Sequence, residues 1–157
     1  MTDAADARSG KDRPAESGDE CVFCTIVAGR LSASIVAEDQ LTMAFMDQRQ
    51  FHPGHVLIIP RTHLSDIRNA NDGIASAVGC MVARVARAVD RAFPTDGLSV
   101  WHSAGAGANQ EVPHLHFHVH PRRLDDDVLR VYPAPPSSPD RLTLESWAAR
   151  LRSAIDR

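Results

Sequence analysis

Hydrophobic positions come in short extended runs through the first half of the chain, then switch to a helical period. Cys21-Val22-Phe23-Cys24-Thr25-Ile26-Val27 is an apolar segment ended by Gly29. Extended runs follow at Ile35-Val36-Ala37, Leu41 to Met46 and Val56 to Ile59, the last two separated by a link holding the turn pair Pro53-Gly54. From Ile74 to Phe93 the apolar residues Ile74, Val78, Met81, Val82, Val85, Val89 and Phe93 recur at spacings of three and four. Arg84, Arg87, Asp90 and Arg91 take the opposite side, so the segment reads as an amphipathic helix packed on a sheet. Leu98 to Trp101 and Leu115 to Val119 are two further strands, the latter expected to stop at Pro121. Thr143 is expected to cap a last helix carrying Leu144, Trp147, Leu151 and Ile155 on one stripe. These elements predict an α+β domain: a five-stranded antiparallel sheet, a long amphipathic helix and a C-terminal helix.

Composition adjusts this picture at the ends. Residues 1–20 lack aromatic residues and hold six acids against three bases, a segment expected to be a disordered acidic tail. The ordered domain is expected over 21–130, and 131–157 as a Pro-rich connector, densest at 133–139, with the C-terminal helix. Subtracting the tail's −3 from the chain's −3 leaves a neutral body, which offers no electrostatic footprint for duplex nucleic acid or an anionic membrane. No apolar run approaches membrane-spanning length, and none before Cys21 resembles a signal peptide. Three cysteines cannot close a disulfide framework, which favours a reducing, cytoplasmic setting. Cys80, among apolar neighbours of the long helix, is expected to be a buried small residue.

The densest chemistry lies in Val112-Pro113-His114-Leu115-His116-Phe117-His118-Val119-His120. Alternate side chains of a strand share a face, about 6.6 Å apart, so His114, His116, His118 and His120 would line one side and Leu115, Phe117 and Val119 the core side. Three readings stand open: a solvated histidine face, a metal site built on three imidazoles, or nucleophilic catalysis. In the last, neighbouring rings disfavour one another's protonation and keep the middle one neutral near pH 7.

The alternating His114, His116 and His118, preceded by Gln110 and Val112 and followed by Pro121-Arg122, resembles the histidine-triad (HIT) family of nucleotide hydrolases and transferases. Upstream, Cys21-x-Phe23-Cys24, Phe45-x-Asp47, Pro53-Gly54-His55-Val56-x-Ile58-Ile59-Pro60-Arg61 and Thr62-His63 keep that family's order, so the likeness spans roughly 21–123. The resemblance implies that His116 attacks the α-phosphorus of a purine nucleotide and carries the nucleotidyl group. It implies that His118 assists the leaving group, that His55 supports the proton network and that Gln110 donates to phosphate oxygens. Asp47 would bond the ribose hydroxyls, with Val22, Phe23, Ile26 and Phe45 around the base. A histidine at position 118 favours hydrolysis over the transferase branch. The implied substrates are phosphoramidates or nucleotidyl esters, with dinucleoside polyphosphates, or nucleotide and zinc binding without catalysis, as alternatives. A homodimer is also implied.

Two positions depart from the family pattern: Ser103 replaces a common Asn, and Glu111 replaces a small hydroxyl residue, an added carboxylate that would either bias the site against heavily charged substrates or make it slow. His120 replaces an aliphatic residue and is expected at the surface. Gly105 to Asn109 either cradles phosphate with its amides or is an ordinary hairpin turn. Cys21-x-x-Cys24 alone could be a redox dithiol, a pair of free thiols or half of a zinc site. The resemblance implies the third, a structural zinc held by Cys21, Cys24, His63 and His114.

Overall fold

In a computed structural model of the chain, which describes residues 21–128, 134 and 136–155, the chain divides into two compact units, 1–126 and 127–157. The expected tail, the end of the expected domain at 129–130, and residues 131–133, 135 and 156–157 of the expected connector and helix lie outside the described residues. In the first unit α1 (Val22–Val27) precedes β1 (Ile35–Glu38), β2 (Thr42–Met46) and β3 (Val56–Pro60). Then come α2 (Asp72–Ala92), β4 (Gly97–Trp101) and β5 (Phe117–Arg122). All neighbouring strands pair antiparallel in one five-stranded sheet of order β1-β2-β3-β5-β4.

Strand parity sorts the side chains into two cores. On one face Ala44, Val56, Ile58 and Val119 meet Val78, Met81, Val85 and Val89 of α2. On the other Met43, Phe45, Leu57 and Ile59 are covered by Phe23 and Ile26 of α1. The Cys21–Val27 segment thus forms a helix only one and a half turns long, too short to stand without this packing. Gly29, at φ 71°, supplies the left-handed residue just past its end. Asn71 caps α2 by accepting a hydrogen bond from the Ile74 amide.

Three local expectations are corrected. The last strand begins at Phe117 and runs through Pro121 to Arg122, with Leu98 opposite Pro121. β3 pairs with β5 only from Phe117 to Val119, so beyond Val119 that side of β5 needs no amide and proline is tolerated there. Cys80 is exposed, because the α2 stripe that turns inward passes through Val78 and Met81 on either side of it. In the second unit α3 spans Arg141–Ile155, and its cap is Asp140, whose Oδ1 accepts from the Thr143 amide at 2.8 Å. Leu144, Trp147, Leu151 and Ile155 of α3 are exposed.

Candidate active site

The site sits on the α1 side of the sheet, and register explains its centre. His118 lies opposite Leu57 of β3 and Trp101 of β4. Cross-strand partners share a face, so the Trp101 indole lies flat on the His118 ring, centroids 4.4 Å apart and planes 6° from parallel. His116 is 5.0 Å from His118, and Phe23 packs edge-on against both His114 and His116. His114 and His116 therefore sit against Phe23 of α1, as the alternation allows, while Leu115 and Val119 are buried with no exposed surface.

Backbone carbonyls fix the tautomers of His116, His55 and His102, and His55 in turn fixes that of His118. His116 Nδ1–H donates to its own chain at His114 O, 2.7 Å, leaving a lone pair on Nε2. That Nε2 has no hydrogen-bond partner among the described residues and is not a solvent-excluded atom. His55 Nδ1–H donates to Arg49 O at 3.1 Å, so its Nε2 accepts from His118 Nδ1–H at 2.9 Å, and the lone pair of His118 is left on Nε2. His102 Nδ1–H donates to His116 O at 2.8 Å, tying β4 to the triad segment. Burial is the largest cause holding His116, His55 and His118 below the usual imidazole range. His118 is pushed down to about 3, with the fields of His116 and His55 adding to burial. All three rings are neutral at pH 7.

Two glutamines shape the flanking loops. Gln50 Nε2 donates to Asp47 O and His55 O, at 2.6 and 2.7 Å, while its Oε1 accepts from the Gly54 and His55 amides. Gly54 sits at φ 110°, and a Cβ there would meet Phe93 at 2.7 Å, so this turn requires glycine. Asp47 is buried, with Oδ1 accepting from the Arg49 amide and Oδ2 lying 3.5 Å from His55 Nδ1. Gln110 Nε2 donates to Ser65 O and Val112 O, and its Oε1 accepts from the Gly105 amide. The amides of Ala108, Asn109 and Gln110 are bonded within the 105–110 turn, so these three are not offered to a ligand. Ser103, half-buried, directly follows His102.

Phe23, Ile26 and Phe45 are packed together in the core on this face, and Phe23 meets Phe45 edge-on at 5.5 Å, whereas Val22 is exposed. His120 corrects its expected surface position: it is 2% exposed, and neither ring nitrogen has a hydrogen-bond partner. Its ring is 4.7 Å from that of His55 and 5.8 Å from that of His52. His52 in turn contacts the buried Asp126 at 3.1 Å. Trp101, His102, Gln50 and Arg49 were not singled out by sequence reasoning. Strand parity could have placed Trp101 opposite the triad; loop hydrogen bonds leave no such signal.

A second cluster lies beside the triad. Cys21 Sγ is 3.4 Å from His114 Nδ1, and Cys24 Sγ is 3.3 Å from His63 Nδ1 and 3.6 Å from His114 Nδ1. His114 Nε2–H donates to Pro60 O at 2.9 Å, which turns its Nδ1 lone pair toward the sulfurs. The four donor atoms lie within 4.8 Å of one another, and the group could hold a metal ion. Among the described residues no helix is long and apolar enough to cross a membrane.

Alternate neutral imidazoles along one segment of a five-stranded antiparallel sheet, the middle one with a free nitrogen, define a histidine triad. Residues 28–125 match the HIT domain family, and the chain belongs to that family. It is 31% identical over 123 residues to an adenosine 5′-monophosphoramidase of Schizosaccharomyces pombe, covering 78% of this chain and 90% of that protein. It is 27% identical over 128 residues to an adenylylsulfatase of Arabidopsis thaliana, covering 80% and 65% of the two chains. A crystal structure of a HIT family protein from Bacillus anthracis superposes with a TM-score of 0.78 at 31% identity, covering 87% of this chain and 97% of that one.

Proposed function

We propose that this protein hydrolyses purine nucleoside phosphoramidates or nucleotidyl esters at the α-phosphorus through a nucleotidyl-His116 intermediate. The observation that carries the reading is the tautomer of His116: Nδ1 is committed to a carbonyl and Nε2 offers a free lone pair. His116 Nε2 forms a bond to phosphorus while the bond from phosphorus to the leaving nitrogen or oxygen breaks. His118, whose Nε2 carries a lone pair in the free site, takes a proton there as the substrate's phosphate anion binds and passes it to that leaving atom. Water then attacks phosphorus, the Nε2–P bond breaks, and the proton lost by water returns to His118. The free site keeps His118 neutral, and the phosphate anion supplies the counter-charge its protonation requires. His55 orients His118 through their shared hydrogen bond, and Asp47 steadies His55 and faces the ribose hydroxyls. Gln110 holds the loop beside the triad, with Ser103 as a short donor toward phosphate. Phe23, Ile26, Phe45 and the exposed Val22 form the apolar side on which the base rests. Likeness to the phosphoramidase and the adenylylsulfatase supports adenylates as the substrate class.

The cysteine–histidine group is assigned to structural zinc. A tetrahedral zinc with bonds of roughly 2.3 Å to sulfur and roughly 2.0 Å to nitrogen sets such donors about 3.5 Å apart, which the Cys21–His114, Cys24–His63 and Cys24–His114 spacings fit. Zinc there would tie α1 and the 60–63 segment to the start of the triad, with no open position for water. The proposal extends to a domain over 21–130, a homodimer and a reducing, cytoplasmic setting. The direct test is turnover of adenosine 5′-phosphoramidate by the wild type and by His116→Ala. Release of AMP that depends on His116 is expected; comparable release by a folded variant would remove His116 as nucleophile.

A further inference from the structure

Two oppositely charged side chains join the loops that flank the reacting groups. Arg49 Nη2 meets Glu111 Oε2 at 2.6 Å and Nη1 meets Oε1 at 3.3 Å, a two-pronged pair. Both ends are anchored to the machinery by their backbones. Arg49 O receives the His55 proton and Arg49 N donates to Asp47, while Glu111 follows Gln110 directly. Both side chains are nonetheless solvated, 74% and 66% exposed, so the pair is held weakly and can be exchanged for another ion. The field of Arg49 reaches His118, and that of Glu111 reaches His116.

We infer that Arg49 and Glu111 form a charge latch that sets which leaving groups the site accepts. Closed, the latch neutralises Glu111 and withholds Arg49, so the site takes adenylates with a neutral or cationic amine leaving group. A polyphosphate leaving group must compete with Glu111 for the guanidinium and overcome repulsion from the carboxylate that it displaces. The inference rests on the nucleotide-hydrolase reading above and names the substrate class for it.

The test compares kcat/KM for an adenosine phosphoramidate carrying an uncharged amine with that for diadenosine tetraphosphate, in wild type, Glu111→Ala, Arg49→Ala and the double variant. Glu111→Ala should raise the tetraphosphate-to-amide ratio by about tenfold and Arg49→Ala should lower it by a similar factor, the scale of one surface charge pair. The double variant should return to within about twofold of wild type, and both shifts should shrink in high salt. Ratios that do not move, or that move in the same direction in both single variants, overturn the latch while leaving hydrolysis standing. Binding of ATP relative to AMP is measured on the same variants. If wild type turns over neither substrate, opposite shifts in that binding ratio still support the latch, unchanged ratios overturn it, and absence of nucleotide binding overturns latch and hydrolase together.

Discussion

His118 donates from Nδ1 to Nε2 of His55 across 2.9 Å, and the direction of that bond follows from His55 spending its own proton on Arg49 O. One carbonyl thus determines where the lone pair of a second ring ends up. The same device operates at His116 and His114, each of which gives its N–H to a main-chain carbonyl. Four histidines of one residue type acquire separate tasks because four different carbonyls, at Arg49, His114, Pro60 and His116, dictate their tautomers.

Burial of neutral imidazoles makes stability depend on pH with a definite sign. His55, His118 and His120 are all held below their ordinary range, burial being the first cause for each. Unfolding lets them bind protons below about pH 6.5, which the folded chain refuses down to about 3 in the case of His118. The stability they permit is therefore full above that range and is lost as pH falls from about 6.5 toward 3. Denaturant midpoints at pH 7.5, 5.5 and 4.5 should decline in that order; a flat series would contradict neutral burial.

His120 costs stability as it stands, since both ring nitrogens are buried without partners. His120→Leu, of similar volume, should stabilise the fold by about 1–3 kcal/mol at pH 7. The variant should also show a shallower acid decline, because one refused proton is gone. Chemical denaturation reads both; a destabilised variant would mean that the imidazole makes a contact worth more than its desolvation.

Stacking on Trp101 should matter to the reaction rather than to substrate binding, because the indole lies flat on the His118 ring. Trp101→Ala should lower kcat by about tenfold with KM changed by less than about twofold, and Trp101→Phe should recover most of the loss. Equal kcat in all three proteins would show that the hydrogen bond to His55 alone is enough.

Removing metal should act on the fold before it acts on chemistry. Cys24→Ser should drop bound zinc, read by elemental analysis, from about one per chain toward zero and lower Tm by about 5 °C or more. A chelator should lower the wild-type Tm in the same direction. Turnover that stops at once on chelation, with Tm unchanged, would instead place the metal in the reaction.

Much of this architecture was readable in the chain because it rests on periodicity. Leu115, Phe117 and Val119 alternate with four histidines, and that parity alone puts the rings together on the side away from α2. Val78, Met81, Val85 and Val89 likewise announced the helix and its buried stripe. What escaped depends on tertiary neighbours. His120 reads as an ordinary polar residue until His55 and His52 are seen to cover it. Pro121 reads as a strand end until β3 is seen to stop pairing first. Gln50 acts through backbone groups of its own loop, which carry no residue signature, and Gln110, expected to donate to phosphate, gives its amide protons to Ser65 O and Val112 O. Cys80 was misplaced because its apolar neighbours face the sheet from either side of it.

The most direct measurement is to quench a reaction with an adenylate substrate at neutral pH and locate the AMP adduct by mass spectrometry. The adduct should sit on Nε2 of His116, the unbonded nitrogen beside His118, and should vanish in His116→Ala. An adduct on His118 or His55, or full turnover by the wild type with no adduct on any histidine, would contradict it.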